Sequence, residues 1–182
     1  ILTNICWIEE EPTMEEKKST ILSVLVENAA GVLSQVSRMF SRKGYNIDSL
    51  AVGETEDPMI SRMTILVSGD AEQIEQIASQ LAKLLPVISV KVLHNDSSVR
   101  REMILVKVRA ESRETRDEVI QIASIFRVKI IDVAPESLTL EVTGNHGKCD
   151  ALLKLLDGFG ILELVRTGTV ALARGKETIY EV

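Results

Sequence analysis

The stretch that organises this chain runs from Ile21 to Phe40 and reads ILSVLVENAAGVLSQVSRMF. Its first six residues, Ile21–Val26, form an unbroken apolar run of the kind that predicts a β-strand covered on both faces. Apolar residues then recur at helical spacing from Val32 to Phe40, and Gly44 is placed to end that helix. The loop Glu27–Leu33 therefore joins a buried strand directly to a helix.

The residues after this stretch complete one βαββαβ unit, and the same order then restarts. In the first unit the sequence predicts two further strands, a second helix and a closing strand, at Asn46–Val52, Met63–Val67, Ile74–Leu84 and Val87–Leu93. The second unit repeats the order, with strands at Met103–Val108, Val128–Val133, Leu138–Val142 and Ile161–Val165, helices at Val119–Phe126 and Leu152–Leu156, and a short last strand at Val170–Leu172. The polar stretch His94–Ser98 is the predicted linker.

These two units predict an α+β protein with two ferredoxin-like βαββαβ domains in tandem, each an antiparallel sheet with two helices on one face. The predicted boundaries are a flexible N-terminal extension at residues 1–18, a first domain at 19–94 and a second domain at 95–182. Because the helices cover only one face, the apolar strands need a partner domain or a second subunit on the other face. We therefore expect the chain to form oligomers.

Composition argues against several broad classes of protein. The chain has 182 residues, of which 45% are hydrophobic and only 3% aromatic, so it can build a packed aliphatic core. No apolar run approaches the roughly 18 residues of a membrane span, and a net charge of −6 argues against nucleic acid as the main partner. Two cysteines, Cys6 and Cys149, cannot form a disulfide framework, which favours a reducing, cytoplasmic location. The acid-rich residues 1–18 are unlike a targeting peptide, because such segments are basic.

The sequence contains few candidates for catalytic or metal-binding residues. Its two histidines, His94 and His146, fall in different predicted domains and match no metal-ligand spacing. Cys149 lies just inside a predicted helix start, where the pKa of a thiol can fall, but no companion base can be assigned to it. The sequence contains no glycine-rich phosphate loop. We therefore predict no catalytic residue and no metal site in this chain.

The loop between the first strand and the first helix is the best candidate for a binding site. Asn28 is placed to cap the helix, Gly31 leaves room for close approach of a ligand, and Asn46 supplies a second amide. Free N–H groups and the positive end of the helix dipole suit a carboxylate, so an amino acid matches this set of groups. A plain capping turn with an unrelated strand-start asparagine explains the same residues. The matching stretch of the second unit, Ala110–Thr115, has no glycine and two acids, so any carboxylate site belongs to the first unit.

At this loop the sequence resembles an ACT domain, whose hallmark N/D-x-x-G-x-L is met by Asn28, Gly31 and Leu33. Further stretches carry a likeness to one family, namely Ser41–Leu50, Asp57-Pro58 and Ser61–Thr64 in the first unit, and Phe126-Arg127, Ile130–Val133 and Arg166–Gly168 in the second. Over about residues 20–175 the chain is similar to the small regulatory subunit of acetohydroxyacid synthase, also called acetolactate synthase.

This resemblance implies that the first unit is an ACT domain and that the chain is not itself an enzyme. It implies a role in branched-chain amino acid biosynthesis, in which the chain activates a large catalytic subunit and confers feedback inhibition by valine, or by leucine or isoleucine. Thiamine diphosphate, magnesium and FAD are then expected in the catalytic subunit, and no cofactor in this chain. The alternative is a free-standing ACT-type amino-acid sensor that regulates another enzyme or a transcription factor.

The resemblance also implies where the effector binds. ACT domains of this family pair side by side through their second strands, so a homodimer joined along Asn46–Val52 is expected. The effector is then expected between the Asn28–Leu33 loop of one subunit and Asn46-Ile47 of the other. Backbone N–H groups are expected to take the carboxylate, the two asparagines the polar head and aliphatic groups the side chain. The implied effector-binding residues are Asn28, Ala29, Ala30, Gly31, Val32, Leu33, Asn46 and Ile47.

Overall fold

The structure is a computed structural model that describes residues 19–180. The predicted extension at residues 1–18, with Cys6, lies outside the described residues. Within residues 19–180, no helix is both long enough and apolar enough to cross a membrane.

The first half of the described chain folds as a βαββαβ unit. Its elements are β1 at Ser19–Glu27, α1 at Val32–Lys43, β2 at Ser49–Glu54, β3 at Ile60–Ser68, α2 at Ala71–Leu81 and β4 at Val87–Leu93. The strands form one antiparallel sheet in the order β2-β3-β1-β4. Gly44 ends α1 in the left-handed conformation, with φ of 71°, so the predicted helix stop is confirmed.

The second half repeats this architecture and adds one strand. Its elements are β5 at Ser98–Arg109, α3 at Arg113–Phe126, β6 at Lys129–Val133, β7 at Ser137–Gly144, α4 at His146–Asp157, β8 at Ile161–Arg166 and β9 at Val170–Ala173. The order β6-β7-β5-β8 matches that of the first sheet, and β9 pairs with the first residues of β5. The predicted tandem of ferredoxin-like units and the short last strand are both confirmed.

Each sheet packs its two helices against one face, and the burial of aliphatic side chains there stabilises both units. In the first unit this core joins alternate residues of β1 with both helices, at Leu22, Val24, Val26, Val36, Phe40, Ile77 and Leu81. In the second unit it joins alternate residues of β5 with α3 and α4, at Ile104, Val106, Val108, Val119, Ala123, Leu152 and Leu156. Because side chains of a strand alternate between faces, β1 directs its other residues away from the helices.

The opposite face of the first sheet is covered by the chain itself. Ile21 packs there with Leu93 and with Ala171 of β9. The segment after β9 continues across this face, where Ser89 donates its hydroxyl to the carbonyl oxygen of Ile179 at 3.0 Å, and Ile179 is buried. The expectation that a partner domain or subunit covers the apolar strands is thus met, for this face, by the second half of the same chain.

Several predicted boundaries are wrong. The second helix, α2, runs over Ala71–Leu81, whereas the sequence predicts Ile74–Leu84. Asn46 does not open the second strand, because β2 begins only at Ser49, where pairing with Leu66 starts. Asn46 instead donates its side-chain amide to Asp48 at 2.8 Å, and Asp48 in turn donates its backbone N–H to Leu66 of β3 at 2.9 Å. Ser98 is not part of the linker, because β9 extends β5 back to this residue. The errors at the starts of β2 and β5 concern strand pairing with partners that are distant in sequence.

Candidate functional site

Asn28 faces the β2–β3 connection and not the helix that follows it. Its backbone N–H donates to the carbonyl oxygen of Met59 at 2.7 Å, and its side-chain amide donates to the carbonyl oxygen of Pro58 at 2.8 Å and to Glu54 Oε1 at 3.2 Å. The prediction that Asn28 caps α1 is therefore wrong, because both amide protons are used in this tertiary contact. Since a carbonyl oxygen such as that of Pro58 can only accept, the orientation of the amide is determined. Among residues 19–180, no donor reaches Asn28 Oδ1.

Gly31 occupies the N-cap position of α1 with φ of +87°, and α1 has no side-chain cap. This left-handed conformation favours glycine, because a Cβ atom there costs free energy. The space in front of it is open, since an added Cβ atom would meet no described atom within 4 Å. The loop thus exposes backbone at the point where the sequence predicts close approach of a ligand.

The start of α1 presents uncompensated N–H groups. Val32 donates its N–H to the carbonyl oxygen of Ala29 at 3.4 Å, but within the described chain no acceptor reaches the N–H groups of Gly31, Leu33 or Ser34. The first turn contains no acidic residue. A helix end of this kind attracts an anion through both the N–H groups and the helix dipole.

The two predicted parts of the site lie at opposite ends of the first sheet. Asn28 follows the last residue of β1, whereas Ser49, close after Asn46, lies level with Ile21 near the start of β1. At about 3.3 Å per residue, these two levels are about 20 Å apart along the strand. The structure of one chain therefore keeps Asn46 and Ile47 away from the Asn28–Leu33 loop.

The edge of the first sheet at β2 is open. Within residues 19–180, β2 pairs only with β3, which leaves its outer backbone groups available to another strand. Val52 at this edge is 48% exposed. An exposed edge with an apolar side chain is suited to pairing with a second strand.

Cys149 and His146 take structural positions at the start of α4. Burial raises the pKa of the Cys149 thiol to about 11, with a further contribution from Glu102, so the lowered value that a helix start can produce is not found here. His146 is exposed and forms the first residue of α4, with Nε2 at 3.0 Å from Asp150. In the described part of the chain, no group of three or more His, Cys, Asp or Glu side chains is arranged to hold a metal ion.

An ion-pair cluster around one buried carboxylate, which sequence spacing did not reveal, joins β5, α4 and β8. Glu102 is 4% exposed and accepts from Arg166 at 2.9 Å, and Arg166 also donates to Asp150. The hydrogen bond from Arg166 lowers the pKa of Asp150. Arg166 and Glu102 are distant in sequence, and only the pairing of β5 with β8 brings them together.

Replacing Arg166 with Met is expected to lower the free energy of unfolding by about 2–3 kcal/mol, because the buried carboxylate of Glu102 would lose the cation nearest to it. Urea unfolding monitored by circular dichroism measures this change. Lys107→Met is the matched control, since it breaks an exposed pair with Glu163 at 3.1 Å and should cost at most about 1 kcal/mol. Equal losses in the two variants would contradict the assigned role of Arg166.

Comparison with known proteins matches both halves of the chain. Residues 22–89 match the family described as the AHAS small subunit-like ACT domain, and residues 101–175 match the family described as the small subunit of acetolactate synthase. The chain is 49% identical over 164 residues to the probable acetolactate synthase small subunit of Methanothermobacter thermautotrophicus, which covers 90% of this chain and 98% of that protein. It is 50% identical over 162 residues to the acetolactate synthase small subunit of Mycobacterium bovis, covering 89% and 96% of the two chains.

A solved structure agrees with these relatives. The crystal structure of the acetolactate synthase small subunit from Thermotoga maritima matches with a TM-score of 0.82 at 41% identity, covering 88% of this chain and 99% of that one. The similarity thus extends over both sheets and over almost the full length of each relative. The first unit has the ACT-domain fold, and the chain belongs to the family of acetolactate synthase small subunits.

Proposed function

We propose that this chain is the non-catalytic regulatory subunit of an acetolactate synthase, and that a branched-chain amino acid binds between two copies of its first unit. The observation that carries the proposal is the separation of Asn46 from the Asn28–Leu33 loop at opposite ends of one sheet. An antiparallel pairing of β2 with β2 of a second copy places the start of each strand beside the end of the other. A two-fold axis at this edge therefore completes two equivalent sites.

The groups at the loop match the polar head of an amino acid. The N–H groups of Gly31, Leu33 and Ser34 bind the carboxylate at the positive end of α1. Asn28 donates both protons of its Nδ2 to Pro58 and Glu54, and its Oδ1 accepts from the ammonium group. The amide orientation is thus set before the ligand arrives, which reduces the ordering cost of binding.

Aliphatic residues at the same edge account for a branched-chain side chain. Leu33 is 45% exposed beside the free N–H groups. Ile47, contributed by the second copy, is partly buried against the first core and offers its remaining surface. Val32, Ala29 and Ala30 complete the loop without adding charge, so the site favours an apolar side chain over a charged one.

Regulation follows from binding across two chains. An effector held by both copies stabilises their pairing, and this shifts any activity of a partner that depends on the paired state. We assign the effector unit to residues 19–94 and the second unit to residues 95–182. The partner is the large catalytic subunit, and thiamine diphosphate, magnesium and FAD belong to that chain.

Reconstitution tests the proposed function. Mixing this chain with the large acetolactate synthase subunit of the same organism is expected to raise acetolactate formation, and valine, leucine or isoleucine is expected to lower the raised activity. The control is the large subunit alone, which should respond little to these amino acids. Copurification with a different enzyme, and no effect on the large subunit, would instead favour a free-standing amino-acid sensor.

A further inference from the structure

A turn of the second unit, Thr167–Thr169, lies directly against the start of β2. Gly168 has φ of +79°, and a Cβ atom added there would lie 2.5 Å from Ser49 Oγ. The backbone N–H of Thr169 donates to the same Ser49 Oγ at 3.1 Å. Only glycine permits this approach, because any side chain would both clash with Ser49 and strain the left-handed backbone.

The turn is held firmly on the side of the second sheet. Thr167 exchanges two hydrogen bonds with the backbone of Met103, each at 3.1 Å. The preceding residue, Arg166, is fixed by the buried Glu102 and by Asp150. A displacement of the turn therefore requires breaking contacts of β5 and α4, and the turn acts as a rigid extension of the second sheet.

The start of β2 is in turn linked to the proposed effector site. Asp48, next to Ser49, accepts from the side chains of Asn46 at 2.8 Å and Ser68 at 2.6 Å. Asp48 therefore links Asn46, to which it is hydrogen-bonded, to Ser49, which contacts the turn. A cavity of about 530 Å³ borders this contact, between Asp48 on one side and Glu102 on the other. Beside the cavity, Gly168 of the second unit directly contacts Ser49 of the first unit.

We propose that the contact between Gly168 and Ser49 positions Asn46 and Ile47 for the effector, so that the second unit forms part of the effector response. This inference rests on the proposed function. Gly168 and Ser49 are positioning residues, because they act through Asp48 and do not touch the ligand. If the contact is lost, the segment before β2 must be ordered during binding, and effector affinity falls.

Calorimetric titration of the full-length chain with valine, together with valine inhibition of the reconstituted holoenzyme, tests this contact. Gly168→Ala is expected to raise both the dissociation constant and the half-inhibitory concentration by about tenfold. Gly175→Ala is the matched control, because Gly175 has a similar φ of +73° but no atom within 4 Å of an added Cβ. It should leave both values unchanged. Activation of the large subunit without valine should stay the same in both variants.

Ser49→Ala makes the test independent of strain at Gly168. This variant removes the acceptor of Thr169 without creating a clash, so it reports on the contact even if Gly168→Ala fails to fold. The double variant should bind valine no more weakly than Ser49→Ala alone, because the clash disappears with the hydroxyl. If the wild-type chain binds valine, and Gly168→Ala and Gly175→Ala bind it with equal affinity, this inference alone is overturned. A wild-type holoenzyme that responds to none of the three branched-chain amino acids would overturn the proposed function as well.

Discussion

Replacing Gly31 with Asp is expected to abolish effector inhibition while the fold remains intact. The new side chain has open space, because an added Cβ atom meets nothing within 4 Å. Its carboxylate would stand at the N-cap of α1, where it can accept from the N–H of Leu33 or Ser34. It thereby occupies the groups proposed to bind the effector carboxylate and repels that carboxylate. A loss of about 3 kcal/mol, or more than about 100-fold in affinity, is the expected size.

Calorimetry with valine and inhibition of the holoenzyme measure the effect of Gly31→Asp. Gly31→Ala separates backbone strain from charge, and it should weaken binding by about tenfold at most, in line with strain of about 1 kcal/mol. Gly44→Asp places the same substitution at the other end of α1, where φ is +71° and space is also open. It should leave effector affinity near that of the wild type. Full valine inhibition in Gly31→Asp would show that the loop is not the site.

Replacing Val52 with Lys is expected to convert the proposed dimer into a monomer. Near a two-fold axis at β2, the two introduced ammonium groups would approach each other, and a charged residue on an edge strand opposes pairing. The dimer dissociation constant should rise by at least about 100-fold, corresponding to about 3 kcal/mol. Sedimentation velocity across a range of protein concentrations measures this change. Effector binding should fall with it, because each proposed site needs both chains.

The second sheet provides the control for Val52→Lys. Val133 lies on β6, the edge strand equivalent to β2, and is 64% exposed. Val133→Lys should therefore leave the dimer intact if β2 is the contact edge. A monomeric Val133→Lys with a dimeric Val52→Lys would place the interface on the second unit and contradict the proposed site.

Much of the fold follows from local patterns. The apolar run Ile21–Val26 predicts β1, and the helical spacing of Val32, Val36 and Phe40 predicts α1. Both predictions work because the buried surface of a strand or a helix requires apolar residues at a characteristic spacing. The repeat of this order predicts the second sheet. The N-x-x-G-x-L motif likewise indicates the ACT fold, and the family comparisons confirm it.

Other features depend on contacts between residues that are far apart in the sequence. Asn28 has the residue type of a helix cap, yet it binds the β2–β3 connection because Pro58 and Glu54 come within reach only after β3 pairs with β1. The same holds for Glu102, whose charge is buried because β8 brings Arg166 beside it. A local pattern specifies which face of an element is buried, and it does not specify which side chain lies opposite.

The candidate site shows most clearly which features follow from local sequence and which depend on contacts between distant residues. Residue types and a family motif identify Gly31 and Asn46 as candidates, because a positive φ and an amide have local signatures. Their separation along the first sheet, and the contact of Gly168 with Ser49, arise from strand order and from the packing of one unit on the other. Strand register and domain packing are set by the summed burial of many residues, so no short stretch of the chain encodes them.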